Sequence, residues 1–279
     1  MSERSATEQW QAASAGWAYW AARAEEYLVP ATEQMLDLAG VAPGARVLDV
    51  GCGSGEQTLI AARRVGETGH VLATDIAAPM IAATERNAAA VGLGNISTLV
   101  SAADALPAEA GPFDAAISRL VLMLVPDPVA AAAAVLRLLR PGAAFAAIVI
   151  GDRAKTGFHA LALDILARHG GRANWENAPG SIRSLVDPEL LADVMRRAGF
   201  VDVDVRTVPT TQRMASAADM TRMIRDGFAF FRSLIAGLTP EAAEAAWTDV
   251  EQALRRFEGP DGFVGPNALN LAVGRKPTG

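Results

Sequence analysis

Between residues 46 and 150, short apolar runs alternate with segments whose apolar residues recur every three or four positions. Five runs have the length and composition of buried strands: 47–50, 71–74, 96–100, 113–117 and 145–150. Three intervening segments have helical spacing: 57–65, 79–91 and 127–140. Asp127 and Pro128 are typical of a helix start. This alternation predicts parallel strands joined by right-handed crossovers, with helices on both faces of the sheet.

The segment before the first strand has the apolar spacing of two helices. Trp10, Trp17 and Trp20 lie on one face of a predicted helix over residues 7–27. Pro30 separates it from a second predicted helix, 31–39, which ends at Gly40. The aromatic stripe either packs as ordinary core or covers a bound ligand as a lid, and the pattern alone leaves both interpretations open.

The alternation is interrupted after residue 151. Residues 152–187 read as an insertion of loops around one short helix, 158–169, where a substrate cap would lie. Further elements are predicted at 187–197 (helix), 200–208 (strand), 217–225, 228–238 and 240–257 (helices) and 268–273 (strand). The 200–208 strand alternates apolar and polar residues, which predicts one solvent-facing side.

Composition and charge narrow the function classes. The 279 residues are 51% hydrophobic, which supports a large core, and the net charge of -6 without a basic run argues against nucleic-acid binding. The single cysteine, Cys52, excludes an internal disulfide and a cysteine-rich metal site. A polar N-terminus and the absence of long apolar runs predict a cytoplasmic protein without a membrane partner. The arginine-rich composition hints at a bacterial source.

A glycine-rich turn follows the first predicted strand, with glycines at 51, 53 and 55 and a carboxylate, Asp49, before them. Glycines permit sharp bends, and the next helix offers free N–H groups and the positive end of its dipole. Glu56 stands where a phosphate-binding loop needs lysine. The glycines are also closer together than in a dinucleotide-binding turn, which disfavours an NAD-linked reductase. Asp49 would repel a pyrophosphate but suits a ligand that carries an ammonium group.

Two further aspartates follow predicted strands. Asp75 ends the second strand, 20 residues after Gly55, where a carboxylate can accept hydrogen bonds from ribose hydroxyls. Asp104 follows the third strand and is placed either to meet an adenine amino group or to serve as a solvated turn residue. An ammonium-bearing nucleoside is the ligand that this pattern favours.

With these residues the chain resembles the class I S-adenosylmethionine-dependent methyltransferases, in particular the ubiquinone/menaquinone-type small-molecule enzymes. The matching segments are Val47–Gly55, Asp75-Ile76, Ala103–Ala105, Phe113–Arg119 and Leu139–Gly142. The resemblance implies an α/β, Rossmann-like, doubly wound, mostly parallel seven-stranded sheet, with an antiparallel last strand beside the fifth. It also implies one domain over 1–279, with a helical lid (7–40), a cofactor-binding core (41–151) and acceptor-cap segments (152–187 and 216–258).

The resemblance implies S-adenosylmethionine as cofactor and S-adenosylhomocysteine as product, and it assigns binding roles along the core. The predicted cofactor-binding residues are Asp49, Gly51, Cys52, Gly53, Asp75, Ile76, Met80, Asp104, Ala105, Ser118 and Trp20. Asp49 is expected at the methionine ammonium and Asp75 at the ribose. Ser118 is expected to place its backbone carbonyl near the ammonium. Cys52 is small enough for the turn and is not read as a nucleophile.

The acceptor side is less defined. Methyl transfer from a sulfonium is an in-line displacement that needs positioning and exclusion of water, and a general base is optional. Arg119, His159 and His169 are the catalytic candidates, each with a purely structural alternative. Trp175, with Phe228 and Phe231, suggests an apolar pocket for a lipophilic or aromatic small molecule.

Several alternatives bear on the acceptor and the assembly. Ser118-Arg119-Leu120-Val121 lacks the pattern of amino-methyltransferases acting on DNA or glutamine, and it lacks the carboxylates of metal-dependent catechol enzymes. One cysteine is too few for arsenic methylation. A protein that binds S-adenosylmethionine without transferring its methyl group is the alternative function. A homodimer is open, since the tryptophan helix could cover its own site or a neighbour's.

Overall fold

The computed structural model describes residues 6–151, 157–172 and 181–279. Nine α-helices lie in these ranges: α1 Ala6–Ala39, α2 Glu56–Val65, α3 Ala78–Ala90, α4 Pro128–Leu138, α5 Gly157–His169, α6 Pro188–Arg197, α7 Ala217–Gly227, α8 Ala229–Leu234 and α9 Pro240–Leu254. The strands are β1 Arg46–Val50, β2 His70–Asp75, β3 Ile96–Val100, β4 Phe113–Arg119, β5 Leu139–Ile150, β6 Val201–Met214, β7 Glu258–Gly259 and β8 Gly262–Arg275.

One mixed sheet organises these elements in the order β3-β2-β1-β4-β5-β8-β6, with the short β7 paired to β8. Strands β1 to β5 pair with one another in parallel, whereas β8 runs antiparallel between β5 and β6. The prediction of a mostly parallel sheet with an antiparallel last strand beside the fifth is confirmed. Val47, Leu48 and Val50 of the central β1 are buried, as expected for a strand covered on both faces.

The strand order places a ligand crevice at one edge of the sheet. The chain leaves β1 toward β2 and β3 on one side and returns to β4 on the other. Connections that diverge in this way open a gap at the carboxyl ends of the strands, which is where open α/β sheets bind ligands. The glycine turn after β1 and the end of β4 face each other across that gap.

Helix α1 differs from its prediction, since it runs without a break through Pro30. A proline inside a helix costs about 3 kcal/mol through a lost hydrogen bond and a steric clash. Burial offsets this cost: Leu28, Ala31 and Met35, on both sides of the proline, are at most 1% exposed against the sheet. The Thr32 hydroxyl also donates to the Leu28 carbonyl at 2.9 Å, inside this segment. Packing therefore overrides the local signal of Pro30.

Strands β6 and β8 are longer than their apolar patterns predicted. They pair from Val201 to Met214, beyond Pro209 on β6 and Pro266 on β8. Proline has no N–H for a sheet, so it is tolerated where no neighbour needs that donor. β6 is an edge strand, and Pro266 lies outside the part of β8 that pairs with β5, Leu269 to Arg275. Among the described ranges, no helix combines the length and apolar character of a membrane span.

Candidate functional site

A cavity of about 320 Å³ opens at the carboxyl ends of β1, β2 and β4. One part of the lining, the cofactor end, consists of the predicted cofactor segments: Gly51, Gly53, Asp75, Ile76, Met80 and Ser101–Asp104. The other part, the apolar end, includes Leu120, Met123, Leu124, Val125, Ile182, Phe228 and Phe230, and Val121 joins the two parts because it lies against Gly51. Trp10 and Trp17 of α1 also contribute to its wall. The size and the apolar character are those of a small-molecule site.

Glycine is required in the turn after β1 both by the backbone conformation and by neighbouring side chains. Gly51, Gly53 and Gly55 have φ values of 72°, 58° and 97°, which favour glycine. A Cβ added at Gly51 would collide with Val121, and one at Gly53 would lie 2.9 Å from Trp17 Nε1. In the structure their Cβ directions are already filled by protein.

Asp75 joins the end of β2 to the glycine turn. Its Oδ2 accepts a hydrogen bond from the Gly53 N–H at 3.0 Å, and its Oδ1 accepts one from the Ala77 N–H at 2.9 Å. Burial raises the pKa of this carboxyl, and the backbone N–H groups oppose the rise. Asp75 lines the cavity together with Ile76, Met80 and the exposed Asp104, whereas Ala105 lies outside the lining.

Asp49 is fully buried beneath the turn and lies outside the cavity lining. Its carboxylate accepts hydrogen bonds from Thr58 Oγ1 at 2.6 Å and Gln57 Nε2 at 3.1 Å. Burial raises its pKa to about 6, against the opposing effect of these two donors. An ionised carboxylate held in this position creates a negative field under the turn, which favours a cationic ligand above it.

Two other predicted residues also lie behind the surface of the cavity. Ser118 is buried, and its hydroxyl donates to the Val50 carbonyl at 3.0 Å. Cys52 is 1% exposed, and burial raises its thiol pKa well above the ordinary value. Reactive cysteines need the opposite shift and some exposure, so Cys52 has the environment of a packing residue.

Arg119 contributes to the cavity lining, but its guanidinium forms an ion pair with Glu25. Its two terminal nitrogens donate to Glu25 of α1 at 3.0 and 2.8 Å, and Nη1 also donates to Thr32 Oγ1 at 2.8 Å. The Arg119 side chain is only 4% exposed. A bidentate arginine–carboxylate pair of this kind fixes orientation. The structure therefore places Arg119 as a link between β4 and α1, with its charge balanced by Glu25.

The two candidate histidines are not brought to the cavity. His169 is near the surface, with Nε2 2.8 Å from Asp249 Oδ2. His159 is 3% exposed, and neither ring nitrogen has a hydrogen-bond partner among the described residues. It packs against Phe158 and Phe228, with ring centroids 4.1 and 6.1 Å away, and Phe228 separates it from the cavity. Burial lowers the pKa of His159 to about 3, so the ring is neutral at physiological pH.

This burial predicts a specific acid sensitivity. Because the folded-state pKa is below the ordinary 6.5, His159 costs no stability above pH 6.5 and destabilises the fold as the pH falls toward 3. Between pH 7 and 5 its contribution falls by about 2 kcal/mol. We expect His159→Phe to lose less stability than the wild type over this range in urea unfolding. His169→Phe is the matched control, and equal pH slopes for His159→Phe and the wild type would contradict the assignment.

The three tryptophans of α1 differ in their position relative to the cavity. Trp20 is buried away from it, with Nε1 3.4 Å from Asp226 Oδ2, whereas Trp10 and Trp17 line the wall. Trp17 makes edge-to-face contacts with Trp10 at 6.4 Å and with Phe228 at 5.6 Å. Sequence spacing put Trp17 and Trp20 on the same face and could not separate them. Phe231 is fully buried behind the wall, and Trp175 lies outside the described residues.

Comparisons with known proteins agree with this geometry. A family model described as a methyltransferase domain matches residues 47–142. Nocamycin O-methyltransferase of Saccharothrix syringae is 46% identical over 118 residues, which are 42% of this chain and 41% of that protein. The ubiquinone/menaquinone biosynthesis C-methyltransferase UbiE of Klebsiella pneumoniae is 32% identical over 181 residues, which are 61% of this chain and 71% of that protein. The match thus spans less than half of the nocamycin enzyme's length.

A similar fold also occurs in a solved structure described as the (4+2)-cyclase SpnF. It aligns with a TM-score of 0.55 and 20% identity, covering 90% of this chain and 81% of that chain. At this identity the similarity concerns the fold alone.

Proposed function

The chain belongs to the class I S-adenosylmethionine-dependent methyltransferases, and from this premise we propose that it methylates a small lipophilic or aromatic molecule. The observation that carries the proposal is the division of one cavity into two parts. A glycine turn with Asp75 and Asp104 forms one part, and an apolar wall that includes Met123, Phe228 and Phe230 forms the other. Cofactor and acceptor would therefore share one chamber.

The charges at the cofactor end fit S-adenosylmethionine. The cofactor carries an ammonium and a sulfonium, and the buried Asp49 and the half-buried Asp75 supply negative charge on that side. The resemblance assigns the ribose to Asp75 and the adenine to Ile76, Met80 and Asp104, and all four line the cavity. When bound, the cofactor supplies an activated methyl group.

The apolar end would hold the acceptor and keep water away from the reacting atoms. Met123, Phe228 and Phe230 would hold the acceptor, and the bound cofactor would supply the methyl group, with S-adenosylhomocysteine as the leaving group. The apolar wall excludes water, which would otherwise compete and screen charge. It also holds the acceptor in line with the methyl group, and positioning of this kind supplies a large part of the rate enhancement.

The alternative function is binding of S-adenosylmethionine without methyl transfer. The similarity in fold to a cyclase supports keeping it, since a shared fold does not determine the reaction. Both functions require the cofactor to bind, so binding measurements alone do not distinguish them. Transfer of a labelled methyl group to an acceptor does distinguish them.

The test uses the purified chain, methyl-labelled S-adenosylmethionine and a panel of quinols, polyketide phenols and aromatic carboxylic acids. We expect one compound class to gain label with an equal amount of S-adenosylhomocysteine formed. Binding of S-adenosylhomocysteine with no labelled product across the panel would favour the alternative. Tight binding of NADH without binding of S-adenosylhomocysteine would overturn both.

A further inference from the structure

We propose that the acceptor pocket continues behind Phe228 to a buried polar cluster, which binds an uncharged hydrogen-bonding group at the far end of the acceptor. The polar cluster consists of His159, Thr210, Gln212 and Asn267. The inference rests on the proposed function, because it takes the apolar end of the cavity as the acceptor site. It adds a chemical class: an aromatic acceptor with a hydroxyl or carbonyl group opposite the methylated atom.

The polar cluster is buried, yet much of its hydrogen-bonding capacity is unused. Gln212 is 0% exposed, and His159 and Asn267 are each 3% exposed. Among the described residues, no partner bonds to either amide atom of Gln212, either ring nitrogen of His159, Asn267 Nδ2 or Thr210 Oγ1. Unpaired buried polar groups are costly and uncommon in folded proteins. Their concentration in one region indicates a site for a hydrogen-bonding ligand.

Three members of the cluster lie on the part of the sheet that borders the cavity. Strand β8 pairs with β5 only over its second half, so its first half extends past the carboxyl end of β5, at the cavity edge. Asn267 lies in this extension opposite Thr210, and Gln212 lies opposite Gly265. Opposite residues and alternate residues of paired strands share one face. The three polar side chains therefore lie on the same face of this extension.

Phe228 connects the cavity to this face through aromatic contacts. It lines the cavity, and its ring centroid lies 6.1 Å from that of His159. His159 packs in turn on Phe158, with centroids 4.1 Å apart. Phe158 covers Gly265, where an added Cβ would be 2.6 Å from its Cδ1. The path from the cavity wall to the polar face of β8 is thus two side chains long.

Met123 borders the same region from the sheet. It lines the apolar end, and its Sδ accepts a hydrogen bond from the Ile150 N–H at 3.3 Å. Ile150 is the last residue of β5 and pairs with Leu269, two residues from Asn267. The polar cluster therefore lies behind the apolar end, bordered by Met123 and Phe228.

The position of Phe228 suits it to open this passage. It is the single residue between α7 and α8, and its backbone is extended, with a φ of -114° and a ψ of 103°. A change of side-chain rotamer moves its ring without moving either helix. The far end of an acceptor would take the place of the ring.

The chemistry of the polar cluster selects an uncharged group. Amides and hydroxyls both donate and accept hydrogen bonds, and a neutral imidazole does one at each nitrogen. Burial lowers the pKa of His159 to about 3, so its ring is neutral at physiological pH. The cluster therefore has no cation to balance a carboxylate, whereas a hydroxyl or a ketone can bond to it.

The test compares two acceptor analogues that differ in the far group. 2-Naphthol has one hydroxyl, and 2,6-dihydroxynaphthalene has a second at the opposite end of the rings. With S-adenosylhomocysteine bound, we expect the wild type to bind the dihydroxy compound about tenfold more tightly by calorimetry. Gln212→Met should reduce this ratio to about twofold or less, without changing the affinity for 2-naphthol. Thr211→Val, at an exposed position on the opposite face of β6, is the control.

The same variant separates a ligand site from a site for internal water. An unpaired buried amide destabilises the ligand-free protein, so we expect Gln212→Met to unfold about 2–4 °C above the wild type. A lower melting temperature would mean that water bonds to the Gln212 amide in the folded protein, and it would overturn the proposal. His159→Phe is the second variant and should reduce the affinity ratio in the same way.

The remaining outcomes are decisive as well. The proposal would be overturned if the wild type bound both naphthalene compounds equally or bound neither. An unchanged ratio in Gln212→Met or His159→Phe, or an equal loss in Thr211→Val, would also overturn it. 6-Hydroxy-2-naphthoic acid carries a carboxylate at the far end, and tighter binding of this acid than of 2-naphthol would contradict selection of an uncharged group. Failure of S-adenosylhomocysteine itself to bind would instead count against the proposed function.

Discussion

Replacing Asp75 by alanine is expected to weaken binding of S-adenosylhomocysteine by roughly 100-fold, the largest loss that we predict for a single substitution. Two effects combine. The variant loses the carboxylate assigned to the ribose hydroxyls, and it leaves the N–H groups of Gly53 and Ala77 without their acceptor. The second effect loosens the glycine turn itself. Calorimetry with S-adenosylhomocysteine gives the affinity, and thermal unfolding gives the change in stability.

Asp187→Ala is the matched control for Asp75→Ala. Asp187 also accepts a backbone hydrogen bond at a helix start, from the Glu189 N–H at 2.9 Å, but it lies outside the cavity lining. We expect it to lose about 1 kcal/mol of stability and no affinity. If Asp75→Ala lost only stability, with an unchanged dissociation constant, Asp75 would be a structural cap and its assignment to the ribose would be wrong.

Replacing Asp49 by asparagine is expected to change stability and affinity in opposite directions. The pKa of Asp49 is about 6 in the folded state and 3.8 ordinarily, so the ionised carboxylate destabilises the folded state. This destabilisation is absent below pH 3.8, grows as the pH rises through 6, and reaches about 3 kcal/mol above it. We expect ligand-free Asp49→Asn to be more stable than the wild type at pH 8 by up to that amount, and equal to it near pH 4.

The same substitution should lower affinity for the cofactor by about 10–100-fold, because the negative charge beneath the turn is lost. The loss should be greater for S-adenosylmethionine, which has an additional positive charge on sulfur, than for S-adenosylhomocysteine. Urea unfolding at pH 4 and pH 8, with calorimetry at pH 8, measures both effects. The control is Asp127→Asn, at an exposed helix cap. If Asp49→Asn were less stable than the wild type at pH 8, the hydrogen bonds from Thr58 and Gln57 would stabilise the fold by more than the buried charge destabilises it.

The sheet, and the meeting of Gly51, Gly53 and Asp75 in one cavity lining, could be predicted because their signals are local. Strand, glycine turn and helix follow one another within residues 46–65, and Asp75 follows directly from the end of the next strand. Parallel crossovers then bring the strand ends to one edge of the sheet. Position along the chain and position in the site are therefore closely related here.

The apolar part of the cavity lining could not be predicted in the same way, because it depends on contacts between distant parts of the chain. Trp20 faces away from the cavity because it packs beside Asp226, 206 residues later. Arg119 is neutralised by Glu25, 94 residues earlier. His159 is in the expected segment, but Phe228 lies between it and the cavity. The local spacing of apolar residues carries no signal for any of these contacts, so it could not predict them.

The placement of β8 has a consequence for how the protein is made. Residues 262–275 are synthesised after both of their neighbours, yet this strand fits between β5 and β6 and pairs with both. While the chain is still emerging from the ribosome, β5 is therefore an open edge, and unpaired edges of this kind invite association with other chains. The protein should depend on chaperones during translation, and a nascent chain stalled before Gly262 should be held in an aggregation-prone form.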